Sequence, residues 1–464
     1  MMKGMLPELL APSGGREQLE AALLYGADAV YLGGQELSLR TQCAGFDGPA
    51  LAAAVRDSHA AGAKVYYCLN AMPYDRQLHA VCARLESLPE LGVDGLIAAD
   101  PGVIWLARRY CPTVDLHLST QAHSVNEAAV AFWREAGARR VNVARELPQA
   151  AIRRLIRTFP DMEFEVFVHG AMCLALSGHC LLSAWANGRP ANQGRCTQPC
   201  RFDYRAVRDD IRWTRRQEAQ GLTLTVEEHT RLGQPFWDVE EGEDFSGIWA
   251  PQDICLARYA DWLARSGAAA LKLEGRTKSG GYVAQVVDVY RSALAAAGLR
   301  RGLEPHGRRM PAPVAGLTPE ACVRELAHTA SRPLSTGFFF PRRKVESLPD
   351  TWTARPVVAR LLAPASGPQA VSAAEAAGMQ FLAAEAPALP CVPCASWHVQ
   401  VRSLWDADKD VTLLLPGMHR PLLRAGSYAL ENHRGERVTR LHSGTAGVLH
   451  CALPELRGGL YLRA

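Results

Sequence analysis

Five cysteines and one histidine stand out as residues able to do chemistry. Cys173, Cys180, Cys196 and Cys200 fall in a loop rich in glycine and asparagine after His169-Gly170, and Cys255 opens a later helical pattern, PQDICLARYADWLARSG. Their spacing is wide and unequal, unlike the repeated CxxC knuckles of structural zinc sites. Thiolates gathered from separate loops suit a larger centre, and iron–sulfur clusters take four of them. Four of the five are therefore expected to hold one metal centre. A solitary CVPC, Cys391 to Cys394, is weak evidence for zinc or redox work. HExxH, GxSxG, P-loop and GxGxxG patterns are absent, which leaves the common hydrolase, nucleotide and dinucleotide signatures unfilled.

Such a loop needs elements to position it, and short apolar runs supply them. Eight occur, at residues 8–14, 28–34, 64–71, 95–100, 115–122, 139–146, 163–171 and 269–276. Between most of them lie Ala/Leu-rich stretches with helical spacing, several closed by glycine, as a helix C-terminus favours. This alternation predicts an α/β fold, a (β/α)8 TIM-like barrel over residues 1–300, with an open doubly wound sheet as the competing topology. At a barrel's C-terminal mouth, strand ends distant in sequence meet. The residues ending these runs include Ser13, Asn70, Asp100, Gln121, Arg145, Glu146, His169, Lys272, Glu274 and Arg276. Ser13 and Asp100 are equally suited to capping the helices that follow.

Residues 185–250 interrupt the rhythm and read as a hairpin-bearing insertion over the mouth. Residues 301–355 form a basic, Pro/Gly-rich linker with a short helix. From 356 to 464, short β-like runs predict a small β-rich C-terminal domain carrying Arg402, Arg420, Arg424, Arg434, Arg437 and Arg440, a basic face that could touch nucleic acid.

Bulk properties agree with a large soluble core. The chain has 464 residues, 48% hydrophobic and 21% charged, with a net charge of +4. That charge is too mild to announce a polyanion binder, and no apolar stretch has the length of a membrane span or signal peptide. A cytoplasmic protein with no membrane contact is expected. Thirteen cysteines make an odd count. In a reducing compartment most of them, including Cys43, Cys68, Cys82, Cys111, Cys322 and Cys451, are expected to be buried apolar side chains rather than disulfides.

The segment from Glu165 to Ser183 resembles the signature of the collagenase-like U32 peptidase family through Glu165, Phe167, Gly170, Ala171, Met172, Cys173, Gly178, Cys180, Leu182 and Ser183. LLAPSGG, DAVYLGG, LSTQA, NQGRCTQPCR, PQDICL, LKLEGRTKSGGYVAQVV and STGFFF are also similar to that family, extending the likeness over residues 6–341. Some members are understood as oxygen-independent hydroxylases with a 4Fe-4S cluster, acting on quinone precursors, tRNA or ribosomal RNA, and the RNA-acting ones use prephenate. A barrel with a modest extra domain most resembles the tRNA-acting type, which makes wobble 5-hydroxyuridine. The resemblance implies Cys173, Cys180, Cys196 and Cys255 as ligands, with Cys200 in reserve, and tRNA as partner, with a redox protein as a further one. Arg145 and Arg276, then Lys272, are expected to bind the small dicarboxylate co-substrate. His169 and Glu274 are candidates for acid/base or orienting roles, and internal Glu–Arg pairing is the plainer alternative for Glu274. The family label leaves proteolysis as the competing activity.

Overall fold

The computed structural model describes residues 5–35, 37–38, 43–173, 175–189, 191–201, 204–207, 223–228, 235–240, 252–306, 310–330, 334–340, 355–365, 395–453 and 456–464. About half of the expected insertion, part of the linker, and the Cys391–Cys394 pair lie outside them.

All eight apolar runs are strands. β1 (Glu8–Pro12), β2 (Ala29–Leu32), β3 (Lys64–Cys68), β4 (Gly95–Ala98), β5 (Asp115–Leu118), β6 (Arg140–Asn142) and β7 (Glu163–Gly170) pair in sequence order, all parallel. Three antiparallel strands of the insertion follow, β8 (Tyr204–Val207), β9 (Thr223–Glu228) and β10 (Pro235–Glu240). β11 (Asp253–Cys255) then runs antiparallel to β7, with Cys255 opposite His169. The eighth barrel strand, β12 (Ala270–Leu273), pairs in parallel with both β7 and β1 and closes the barrel.

Helices α1 (Arg16–Tyr25), α2 (Pro49–Ala60), α3 (Leu78–Leu91), α4 (Pro101–Tyr110), α5 (Glu127–Glu135) and α6 (Gln149–Thr158) each follow the strand of the same number. α7 (Leu182–Asn187) lies in the cysteine loop, α8 (Ala260–Leu263) follows β11, and α9 (Gly280–Arg301) follows β12. Strands buried on both faces read as continuous apolar runs, which is why they were visible in sequence. Asp100 caps α4 by accepting a 3.0 Å hydrogen bond from the Val103 N–H. That is the capping role allowed for it above.

Charge sits inside the barrel where the strands read as apolar. Lys272 Nζ is 2.7 Å from Glu165 Oε1, and Arg140 is 2.9 Å from Glu8 and 2.7 Å from Glu163. Tyr66 donates to Glu8 at 2.9 Å. Breaking one member of a buried pair strands its partner, at a cost of about 3–5 kcal/mol. Glu165→Gln is therefore expected to lower the urea-unfolding free energy by about 3 kcal/mol, and the double variant Glu165→Leu, Lys272→Met to recover much of it. A Glu165→Gln protein as stable as the wild type would contradict this pairing.

The C-terminal region forms an antiparallel sheet whose central strands are Tyr461–Arg463, Val357–Pro364, Ala395–Val401 and Ala446–Cys451. It is locked to the barrel by ion pairs. Arg420 reaches Asp288 of α9 at 2.7 Å and Glu325 of α10 (Pro319–Ala327) at 2.7 Å, and Arg463 also holds Glu325. Arg402 pairs with Glu17 and Arg440 with Asp406. The basic face expected here is thus depleted. Arg402 and Arg420 serve the junction, while Arg424, Arg434 and Arg437 remain exposed. No described helix is long and apolar enough to cross a membrane.

Candidate functional site at the barrel mouth

The strand ends enclose a cavity of about 150 Å³. Asn70, Gln121, Asn142, Arg145, Lys272, Glu274 and Arg276 line it from the barrel, and Cys173, Cys180, Cys196 and Cys200 from the loop after β7. Cys255 is not on this lining. It is fully buried on β11, its sulfur 4.0 Å from the Tyr290 hydroxyl.

The loop is fixed by its first residues. Gly170 has φ +112°, and a Cβ there would stand 2.7 Å from the Glu274 Cβ, so the chain turns where only glycine fits. Ala171 is then clamped on both sides. Its N–H donates to Glu274 Oε2 at 2.8 Å, and its carbonyl accepts from Arg145. Glu274 and Arg145 therefore position the backbone two residues before Cys173, and the Arg145 guanidinium also lies 3.9 Å from the Phe167 ring centre. Further along, Ser183 accepts from the Thr197 N–H at 3.0 Å and Asn187 donates to Thr197 at 2.8 Å, tying the Cys180 and Cys196 segments together.

Burial pushes the Cys180 thiol up, and the neighbouring sulfurs of Cys173 and Cys196 push it further, against the Leu182 N–H, which favours the thiolate. Crowded thiolates repel, and a bound cation would invert that penalty. Among the described residues no three such side chains already form a cage for a metal ion.

Arg276 carries the cavity's exposed need for a ligand. It is 4% exposed, and Nη1 donates to Ser38 at 2.8 Å, but Nε and Nη2 have no hydrogen-bond partner. The Gln121 Nε2 donor is likewise unpartnered, while its Oε1 accepts from Asn70 and Ser119. Lys272, in contrast, is already neutralised by Glu165 and lies 4.3 Å from the Tyr31 ring centre, so its expected carboxylate-binding role narrows to shaping the wall.

His169 stands behind the wall, packed against Tyr290 and Tyr282, and is not on the lining. Burial drives its imidazole down to about 3, with Glu274 opposing and Lys278 reinforcing the shift. It is a neutral positioning group in this arrangement. Between pH 6.5 and 3 the unfolded chain would bind a proton that the fold refuses, so stability is lost as pH falls through that window, by about 1.4 kcal/mol per unit. His169→Gln is expected to flatten this dependence in urea titrations at successive pH values. An unchanged slope would contradict the neutral buried state.

Glu146, singled out beside Arg145, is half-buried and off the lining. Asn142 was missed, although a lone amide inside the apolar run VNV was a readable signal. Ser38 carried no such signal.

A closed parallel barrel that gathers thiols, amides and a guanidinium at one mouth belongs to the large class of (β/α)8 proteins that concentrate chemistry at their strand ends. Residues 14–349 match the model of Peptidase family U32, and the chain belongs to that family. It is 38% identical over 312 residues to tRNA hydroxylation protein P of Escherichia coli, spanning 63% of this chain and 69% of that one. It is 39% identical to tRNA hydroxylation protein P1 of Bacillus subtilis, spanning 62% and 63%. Identity to the Escherichia coli 23S rRNA 5-hydroxycytidine C2501 synthase is 32%, over 64% and 40%.

Proposed function

We infer that the protein is an RNA-modifying hydroxylase that acts on tRNA, converting wobble uridine to 5-hydroxyuridine without oxygen and taking prephenate as the small co-substrate. The observation that carries this reading is the cavity itself. Four thiols line the same cavity as a buried guanidinium with two unpartnered nitrogens, which pairs candidate soft-metal donors with a candidate anion site. The names of the relatives support an RNA substrate, and the family resemblance implies the co-substrate.

Cys173, Cys180 and Cys196 would hold a 4Fe-4S cluster, with Cys200 or Cys255 as the fourth ligand. When bound, the cluster supplies one-electron chemistry or activates a coordinated substrate. Arg276 binds a carboxylate through paired N–H donors, and Gln121 adds a neutral donor beside it. Glu274 and Arg145 keep the loop in register, and the apolar rings of Tyr31 and Phe167 restrict water at the cavity floor. A redox protein is a further expected partner.

Proteolysis is the weaker reading. It needs an activated nucleophile, yet the Cys180 thiol is pushed up and His169 stands off the cavity. The test is nucleoside mass spectrometry of tRNA from a strain lacking this gene. Loss of 5-hydroxyuridine, restored by the wild-type chain, is expected; an unchanged level would contradict the assignment.

A further inference from the structure

Outside the cavity, the rim carries an exposed aromatic that nothing above uses. Tyr74 is 50% exposed, and the Arg76 guanidinium lies 5.1 Å from its ring centre. The backbone that carries the pair is closed into a tight turn. The Tyr74 N–H donates to Gln77 Oε1 at 2.9 Å, and the Gln77 N–H donates back to the Tyr74 carbonyl at 2.7 Å.

The same segment is stitched to the cysteine loop. The Met72 N–H donates to the Asn192 carbonyl at 3.1 Å, and Gln193 Nε2 donates to the Met72 carbonyl. Asn70 on one side of this seam and Gly194 on the other both line the cavity, and Tyr74 follows two residues beyond Met72.

The cysteine-loop side of this seam is cationic, while Asp75 and Arg76 balance on the other side. Residues 170–201 contain no Asp or Glu, and Asp75 is the one acid in residues 70–77. Arg189 donates to the Arg195 carbonyl at 3.1 Å, which places both beside the seam. Among the described residues Arg76, Arg189 and Arg195 have no carboxylate partner.

We propose that the Tyr74–Arg76 pair is a stacking platform for an unpaired base of an RNA loop, with Arg189 and Arg195 taking the flanking phosphates while the adjacent base enters the cavity. This rests on the RNA-modifying reading and adds the docking surface. Single-stranded RNA is recognised by stacking on aromatic and guanidinium planes, whereas duplex offers no free base face. A cationic rim adds sequence-independent, salt-sensitive attraction.

The test uses the full chain and fluorescence anisotropy with a fluorescein-labelled RNA stem-loop bearing a uridine-containing loop, and a fully paired duplex of equal length as comparison. Tyr74→Ala is expected to weaken stem-loop binding about tenfold and leave duplex binding unchanged. Tyr74→Phe and Tyr74→Trp should stay within about twofold of wild type, since each keeps a stacking ring. Arg195→Glu should weaken both RNAs and lower the salt-dependence slope by about one. The platform is overturned if Tyr74→Ala binds the stem-loop like wild type, if Tyr74→Phe loses as much as Tyr74→Ala, or if the duplex suffers equally. It is also overturned if Tyr74 governs capture of gelatin instead of RNA. Wild-type protein that binds no stem-loop sinks the RNA reading as well, whereas wild-type binding with a silent Tyr74→Ala sinks the platform alone.

Discussion

Cys180→Ser is expected to abolish 5-hydroxyuridine formation and strip iron from the protein, with the barrel still folded. Cys180 is half-buried near the sulfurs of Cys173 and Cys196, so its loss removes one member of the donor set. The eight-stranded barrel does not depend on it, because strand pairing closes between β12 and β1 without the loop. Circular dichroism and iron analysis of the variant separate these effects; retained iron with full modification would contradict ligation. Cys200→Ser and Cys255→Ser extend the same test. One is expected to keep iron and the other to lose it, and iron retained in both would contradict a four-thiolate site.

Arg276→Met should split function from stability. The native guanidinium is buried with two nitrogens unpartnered, and an uncompensated buried charge costs several kcal/mol. Removing it should leave the ligand-free protein as stable as wild type, or more so, in thermal unfolding. Recognition of a carboxylate co-substrate should fall by about 2–5 kcal/mol, roughly 30-fold or more in apparent KM. A variant that uses co-substrate normally would contradict the anion site. One that unfolds by several kcal/mol would show that Arg276 is structural.

The eight strands were legible because parallel strands buried on both faces become uninterrupted apolar runs, as in AVYL of β2 and GLIA of β4. The gathering of Cys173, Cys180 and Cys196 could also be foreseen from their clustering after a single strand. What stayed hidden were partners set by three-dimensional closure. Lys272 and Glu165 are 107 residues apart, and only the β7–β12 pairing makes them neighbours. Arg402 and Arg420 looked like a nucleic-acid face until the C-terminal sheet docked on α1 and α9 and placed acids opposite them. The separation of Cys200 from Cys255 hides in the same way, since β11 carries Cys255 into the core beside Tyr290 while Cys200 stays on the cavity wall.

Iron and acid-labile sulfide measured on protein purified without oxygen test the thiolate site most directly. About four of each per chain is the expected result. One equivalent of zinc with no sulfide would contradict it.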